Sequence, residues 1–244
     1  MNRRLLLLLS ALASLIWVSV AQADKIELAT IEYPPYYGKN LENQGFITEI
    51  IVTAFERSGH EVTTKFMPWK RAFEGTKAGK HTGVYTMWYR ADREEWFAFS
   101  DPLPANEVGF MKRTDAAIEF ESLQGLKPYK IGVVRGYSNP KGFDEAALTT
   151  EEVAEDKLNI SKLLRKRVDL VLIDEITGQH IINTQHADRK DELEWLTSVQ
   201  VDPQHVAFSK KHPNYEAQLT AFNSGLKAIT EDGTLKKIME SHGF

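Results

Sequence analysis

The 244-residue chain contains no cysteine, and 34 acidic side chains against 30 lysines and arginines give it a formal charge of −4. The missing thiols exclude a disulfide framework, a structural cysteine–zinc site and a lipid anchor on a cysteine. The mild acidity has the wrong sign for a nucleic-acid partner, which needs a basic face.

Arg3 and Arg4 precede an apolar run, Leu5–Val20, and Ala21-Gln22-Ala23 then supplies small residues. Charged, apolar and small-residue regions in that order predict a secretory signal over residues 1–23, cleaved between Ala23 and Asp24. The alternative is an uncleaved membrane anchor, but 16 residues fall short of the roughly 20 a spanning helix needs. The expected product is therefore soluble and free in a bacterial periplasm. Losing the two signal arginines takes its formal charge to −6. Its length suffices for one large domain or two ordinary ones with a full core.

Short strand-like and helical segments then alternate. KIELATI (25–31) reads as a strand ending at the turn YPPYYG (33–38). TEIIVTAFERSG (48–59) reads as a helix stopped by Gly59, with Ile50, Ile51, Ala54 and Phe55 on one face. EVTTKFM (61–67) alternates like a strand, and PWKRAFEGTKAGK (68–80) is a helix with Pro68 at its start and Gly79 near its end. Strand-like runs follow at TGVYTMW (82–88), EVGFMKR (107–113), YKIGVV (129–134), RVDLVLID (167–174) and QHVAFSK (204–210). DEITGQHIINTQ reads as a helix after RVDLVLI, and the tail holds two helices, one opened by Pro213 and one after Asp232-Gly233. This alternation implies an α/β fold with mostly parallel sheets.

In such sheets ligands gather at the carboxyl ends of strands. Arg90 and Arg93 follow TGVYTMW, Gly136-Tyr137-Ser138 follows YKIGVV, and Asp174 closes RVDLVLID. A guanidinium offers a fork of donors matched to a carboxylate, so Arg93 would suit an anion; alternatively it pairs with Asp92 or Glu94 in solvent. Gly136-Tyr137-Ser138 is either an anion-binding turn or an ordinary one. Asp174 would receive a ligand ammonium, or simply cap the helix that follows. Tyr33, Tyr36 and Tyr37 form a stiff aromatic loop around two prolines, and Trp69 and Trp88 add flat surfaces that would serve a core or a binding wall. The seven histidines include no pair at helical zinc spacing, and phosphate-loop, dinucleotide and nucleophile-elbow motifs are missing from the sequence. No metal or cofactor is expected.

The order of the pieces is more telling than any one of them. Y-P-P-Y after the first strand, G-F-I-T-E-I opening a helix and P-W-K-R-A-F come first. Arg93 ahead of S-D-P, G-V-V-R-G-Y-S, R-V-D with an Asp five residues on, and D-G-T-L-K-K-I follow. This resembles the family 3 periplasmic solute-binding proteins, whose best-known members bind polar amino acids for ABC importers. The resemblance spans the whole mature chain. It implies a type II periplasmic-binding-protein clamp, each lobe a mixed, mostly parallel sheet flanked by helices. Residues 24–111 and 207–244 would form lobe I and 112–206 lobe II. EVGFMKR and QHVAFSK would be two hinge strands.

By the same resemblance Arg93 grips the ligand carboxylate, helped by Ser138, and Asp174 takes the α-ammonium. Tyr33 stacks on the ligand and Trp69 forms a second wall. The partners implied are a small carboxylate-bearing solute, an amino acid or a related carboxylate, and an inner-membrane ABC permease; the protein itself is expected to be a monomer. The chain departs from the pattern at Arg90 and Trp88, where small hydroxyl residues are usual, and at Thr82, where an acid is common. Two arginines would suit a dicarboxylate if Arg90 also faces the cleft; otherwise Arg90 points outward. Two other readings use the same clamp: an enzyme resembling the cyclohexadienyl dehydratases, and a sensory receptor.

Overall fold

The computed structural model describes residues 25–244; the expected leader and its cleavage point at Ala23 and Asp24 lie outside the described residues. Strand β1 (Ile26–Thr30) buries Ile26, Leu28 and Ala29 and leads into the tyrosine loop. Helix α1 (Phe46–Arg57) starts two residues before its predicted position. Its buried residues, Phe46, Ile47, Ile50, Ile51, Ala54 and Phe55, recur at three- and four-residue spacing, so one face meets the sheet. Gly59, at φ +80°, ends it. Strand β2 (Val62–Phe66), helix α2 (Trp69–Lys77) and strand β3 (Gly83–Trp88) follow as read from the sequence.

Strand β4 (Phe97–Phe99) and the long β5 (Leu103–Arg113) lead to β6 (Lys130–Val134). Next come β7 (Thr149–Val153), helix α3 (Asp156–Leu164), β8 (Leu170–Asp174), helix α4 (Glu175–Gln185) and the 17-residue β9 (Leu193–Ser209). Helices α5 (Tyr215–Glu231) and α6 (Thr234–Ser241) close the chain. The sequence reading named neither β7, α3 nor the first half of β9. β7 is Thr-Thr-Glu-Glu-Val, mostly exposed at a sheet edge, and carries no apolar period; the first half of β9 does alternate, through Leu193, Trp195, Val199 and Val201, but polar Thr197 interrupts the series.

The strands form one continuous sheet in the order β2-β1-β3-β9-β5-β8-β6-β7, with β4 beside β9. β1 runs parallel to β2 and β3, and β6 runs parallel to β7 and β8. Antiparallel pairing enters wherever β5 or β9 takes part. These two long strands pair from Leu103 with Gln204 to Arg113 with Leu193, so the expected hinge segment EVGFMKR lies against residues 193–201, while QHVAFSK (204–210) pairs mainly with β3 and β4.

Buried side chains sort into groups along the sheet. A first core draws on Leu28, Phe46, Phe55, Phe97, Phe208 and Phe222. It is sealed by close contact of α1 with α5: a Cβ on Gly225 would lie 1.7 Å from the Ala54 carbonyl oxygen. Further along, alternate residues of β8 face opposite ways. Leu170 and Leu172 join Phe110 and Ile131 on one face, while Val171 and Ile173 join Met111 and Ile160 on the other. Burial on both faces is why this strand reads as an unbroken apolar run.

Candidate functional site

A cavity lies at the carboxyl ends of β1, β3, β6 and β8. Both parallel strand sets thus aim their ends, and the helix starts that follow, into one space. Asn106 on β5 and Gln204 on β9 reach its wall from the two long strands.

The chain between β3 and β4 decides which arginine enters. Arg90 is extended (φ −144°) and precedes a short 3-10 turn over Ala91–Glu95. Its side chain is exposed, with Nε donating to Asp92 Oδ1 at 3.3 Å, and it does not line the cavity. The turn carries Arg93 inward, where it is buried, lines the cavity and donates from Nη1 to the Trp88 carbonyl at 3.3 Å. The two acids that would have neutralised Arg93 are engaged elsewhere, Asp92 by Arg90 and Glu94 by the Tyr89 hydroxyl at 2.9 Å. Burial first, and the charge of Arg90 second, lower the Arg93 guanidinium to about 10, so it stays cationic at neutral pH.

The other sequence-derived candidates also come to this cavity. Tyr33 stacks at 5.8 Å on Tyr36 and 5.6 Å on Tyr37, and all three rings are buried. Trp69, at the start of α2, lines the wall with its buried Nε1 unpartnered among the described residues. Trp88 lines it too, but its Nε1 donates to Asn106 Oδ1 at 2.7 Å and its ring packs into the second core. Ser138 contributes a buried hydroxyl oxygen without a partner among the described residues, in the turn opened by Gly136 at φ +82°.

Asp174 does two things at once. Oδ1 accepts from the Thr177 N–H at 2.8 Å, capping α4, and Oδ2 accepts from the Tyr36 hydroxyl at 3.1 Å. Its carboxyl is almost fully buried, which raises it to about 6 against the opposing pull of those hydrogen bonds.

One acid of the cavity was missed by the sequence reading. Asp156, the first residue of α3, is buried and lines the same wall. Oδ2 accepts from the Tyr137 hydroxyl at 3.0 Å. Burial raises this carboxyl to about 7, and the charge of Asp174 adds to the rise. An acid opening a helix straight after a strand is the signal that would have found it, but neither β7 nor α3 was recognised. Tyr137 was noted only as part of a turn. Its ring meets Trp69 edge-on at 6.2 Å and Tyr33 at 6.4 Å.

Among known sequences, the model of the bacterial extracellular solute-binding proteins, family 3, matches residues 26–243. The chain is 24% identical over 228 residues to the L-cystine-binding protein TcyA of Bacillus subtilis (strain 168), covering 91% of this chain and 82% of that protein. Among solved structures, a histidine kinase sensor domain with similarity to periplasmic binding proteins superposes with TM-score 0.80 at 17% identity, covering 91% of this chain and 96% of its own. An ancestral arginine-binding protein bound to arginine superposes with TM-score 0.76 at 22% identity, covering 90% and 98%. At these identities the structural likenesses establish the fold.

Proposed function

The chain belongs to the bacterial extracellular solute-binding proteins of family 3, and we propose that its solute is an amino acid held in the cavity between two lobes and passed to an ABC permease. Residues 24–111 with 207–244 would form one lobe and 112–206 the other, hinged on β5 and β9. The leader would place the chain in the periplasm. The observation that carries this reading is the placement of Arg93 and Asp174, opposite in charge and both buried, on the walls of one cavity.

A zwitterion needs a fork of donors at one end and an acceptor at the other. Burying both of its charges is tolerable only if both are paired. Arg93 with the Ser138 hydroxyl would take the carboxylate, and Asp174 the ammonium, while Tyr33, Trp69 and Trp88 would exclude water around the rest. Because the two ends come from different lobes, the ligand itself would favour the closed state. Binding and release, with no covalent step, would be the whole of its task.

The test is thermal unfolding of chain stripped of carried-over ligand by unfolding and refolding, across amino acids, dicarboxylates, polyamines and small sugars. A ligand at about 100 times its dissociation constant adds roughly 2.7 kcal/mol to the folded state. Stabilisation by an amino acid, lost in Arg93→Ala, is the expected result. Stabilisation by sugars or by carboxylate-free amines alone would overturn the reading.

A further inference from the structure

The cavity holds one more charge than a simple zwitterion can satisfy. Arg93, Asp156 and Asp174 all line it, all are buried, and none has an ion-pair partner among the described residues. An amino acid spanning Arg93 and Asp174 would leave Asp156 either as an uncompensated buried charge, which is costly, or forced to hold a proton.

The surroundings of Asp156 are those of a cation site. Its partner Tyr137 sits edge-on to Trp69 and close to Tyr33, so three aromatic rings gather beside one carboxylate. Aromatic faces attract ammonium and guanidinium groups, most strongly where water is excluded. Two polar atoms on the same cavity wall are also unpartnered among the described residues. The Trp69 Nε1 donor and the Gln204 Oε1 acceptor belong to side chains 6% and 2% exposed. Buried polar groups of this kind are normally hydrogen-bonded, and a ligand with several polar ends would meet both.

We propose that Asp156, with Tyr33, Trp69 and Tyr137 around it, is a subsite for a second cationic group, so that the solute carries one carboxylate and two basic nitrogens, as a dibasic amino acid does. This rests on the amino-acid reading above and narrows it. With such a ligand the three buried protein charges and the three ligand charges cancel pairwise. A neutral or acidic amino acid leaves at least one protein charge unanswered.

Calorimetric titration of ligand-stripped protein with L-lysine, L-ornithine and L-arginine, beside the neutral L-norleucine and L-citrulline, tests this. A charge-assisted contact in a closed cleft should favour the dibasic ligands by roughly 10- to 100-fold. Asp156→Asn should remove most of that preference and leave the neutral ligands unchanged or tighter. Equal or tighter binding of norleucine or citrulline overturns the subsite while leaving amino-acid binding intact, as does an undiminished preference in Asp156→Asn. The wild-type preference needs no variant, so a poorly folding Asp156→Asn leaves it decisive. If no amino acid of any charge binds, the underlying reading falls together with the subsite.

Discussion

The Tyr36 hydroxyl donates to Oδ2 of Asp174 at 3.1 Å, a bond between residues 138 positions apart. Tyr36 belongs to the first core, and Asp174 ends β8 in the other half of the sheet. The bond therefore ties the tyrosine loop to the far wall of the cavity. It uses one lone pair of a carboxylate that also caps α4, and leaves others free for a ligand.

Tyr36→Phe removes that tie and little else, because the ring keeps its packing against Phe46. A hydrogen bond to a charged acceptor is worth about 1.5–3 kcal/mol. If part of that holds the closed arrangement, ligand affinity falls about tenfold through a smaller closed population. Calorimetric titration reads it, and unchanged affinity would show that the bond forms only beside the binding equilibrium.

Arg93 carries a buried charge with no ion-pair partner among the described residues; a carbonyl and the Phe73 ring at 5.3 Å support it, with the more distant charge of Asp92. Arg93→Met keeps much of the side-chain volume and discards the charge. Replacing buried charges by apolar groups is commonly neutral or stabilising, so ligand-free Arg93→Met should unfold at the wild-type temperature or higher, by about 1 kcal/mol of added stability. Amino-acid binding should be lost. A large fall in stability would instead mark Arg93 as a structural residue.

Two substitutions at Asp174 separate its cap from its charge. Asp174→Ala removes the acceptor for the Thr177 N–H and should cost about 1 kcal/mol in urea unfolding. Asp174→Asn keeps an oxygen for the cap and should lose far less stability, while both variants lose ligand binding. Equal destabilisation by the two would mean that the carboxylate charge, not the cap, stabilises this region.

At Gly109 on β5, strand β9 lies too close to admit a side chain. A Cβ there would lie 2.1 Å from the Thr197 carbonyl oxygen and 2.6 Å from the Trp195 ring, beside a register shift in the ladder. Backbone cannot yield as a flexible side chain does, so Gly109→Ala should cost at least the 1–3 kcal/mol typical of overpacking. Urea unfolding measures it, and a neutral result would require these strands to slide freely.

The parts of this site legible in the sequence were those where local pattern and site coincide. RVDLVLID is apolar on both faces because both are buried, so β8 and its terminal Asp174 stood out. Arg90 and Arg93 were not separable, since three residues of unknown turn geometry decide which one points inward; the 3-10 turn settles it, turning Arg93 in and leaving Arg90 to Asp92. Asp156 was invisible for a different reason. It stands behind an exposed, charged edge strand and opens a helix whose buried residues include a polar Asn159. Its partner Tyr137 lies 19 residues away, a proximity only the β6–β7 pairing creates.

The two buried acids make stability and binding depend on pH in opposite directions. Asp156 and Asp174 are raised to about 7 and about 6 in the folded chain, above the ordinary value of 3.8. Between roughly pH 4 and 7 the folded state therefore binds more protons than the unfolded one, and stability falls as pH rises, by up to about 1.4 kcal/mol per unit for each group. The groups facing Asp156 are Tyr137, Asp174 and Glu155, with Tyr33 and Tyr37 nearby; all three tyrosines are held protonated by burial and do not titrate in this window. As far as these groups govern it, ligand-free protein should thus be most stable below about pH 4, and Asp156→Asn should flatten the slope between pH 5 and 7. A cationic ligand favours the ionised carboxylates, so its affinity should rise over the same interval. Titrations at pH 6.5 in buffers of different ionisation enthalpy should show proton release on binding. No net proton release, or a slope unchanged in Asp156→Asn, would mean that these acids are already ionised in the empty cavity and that the ligand answers a charge the protein carries throughout.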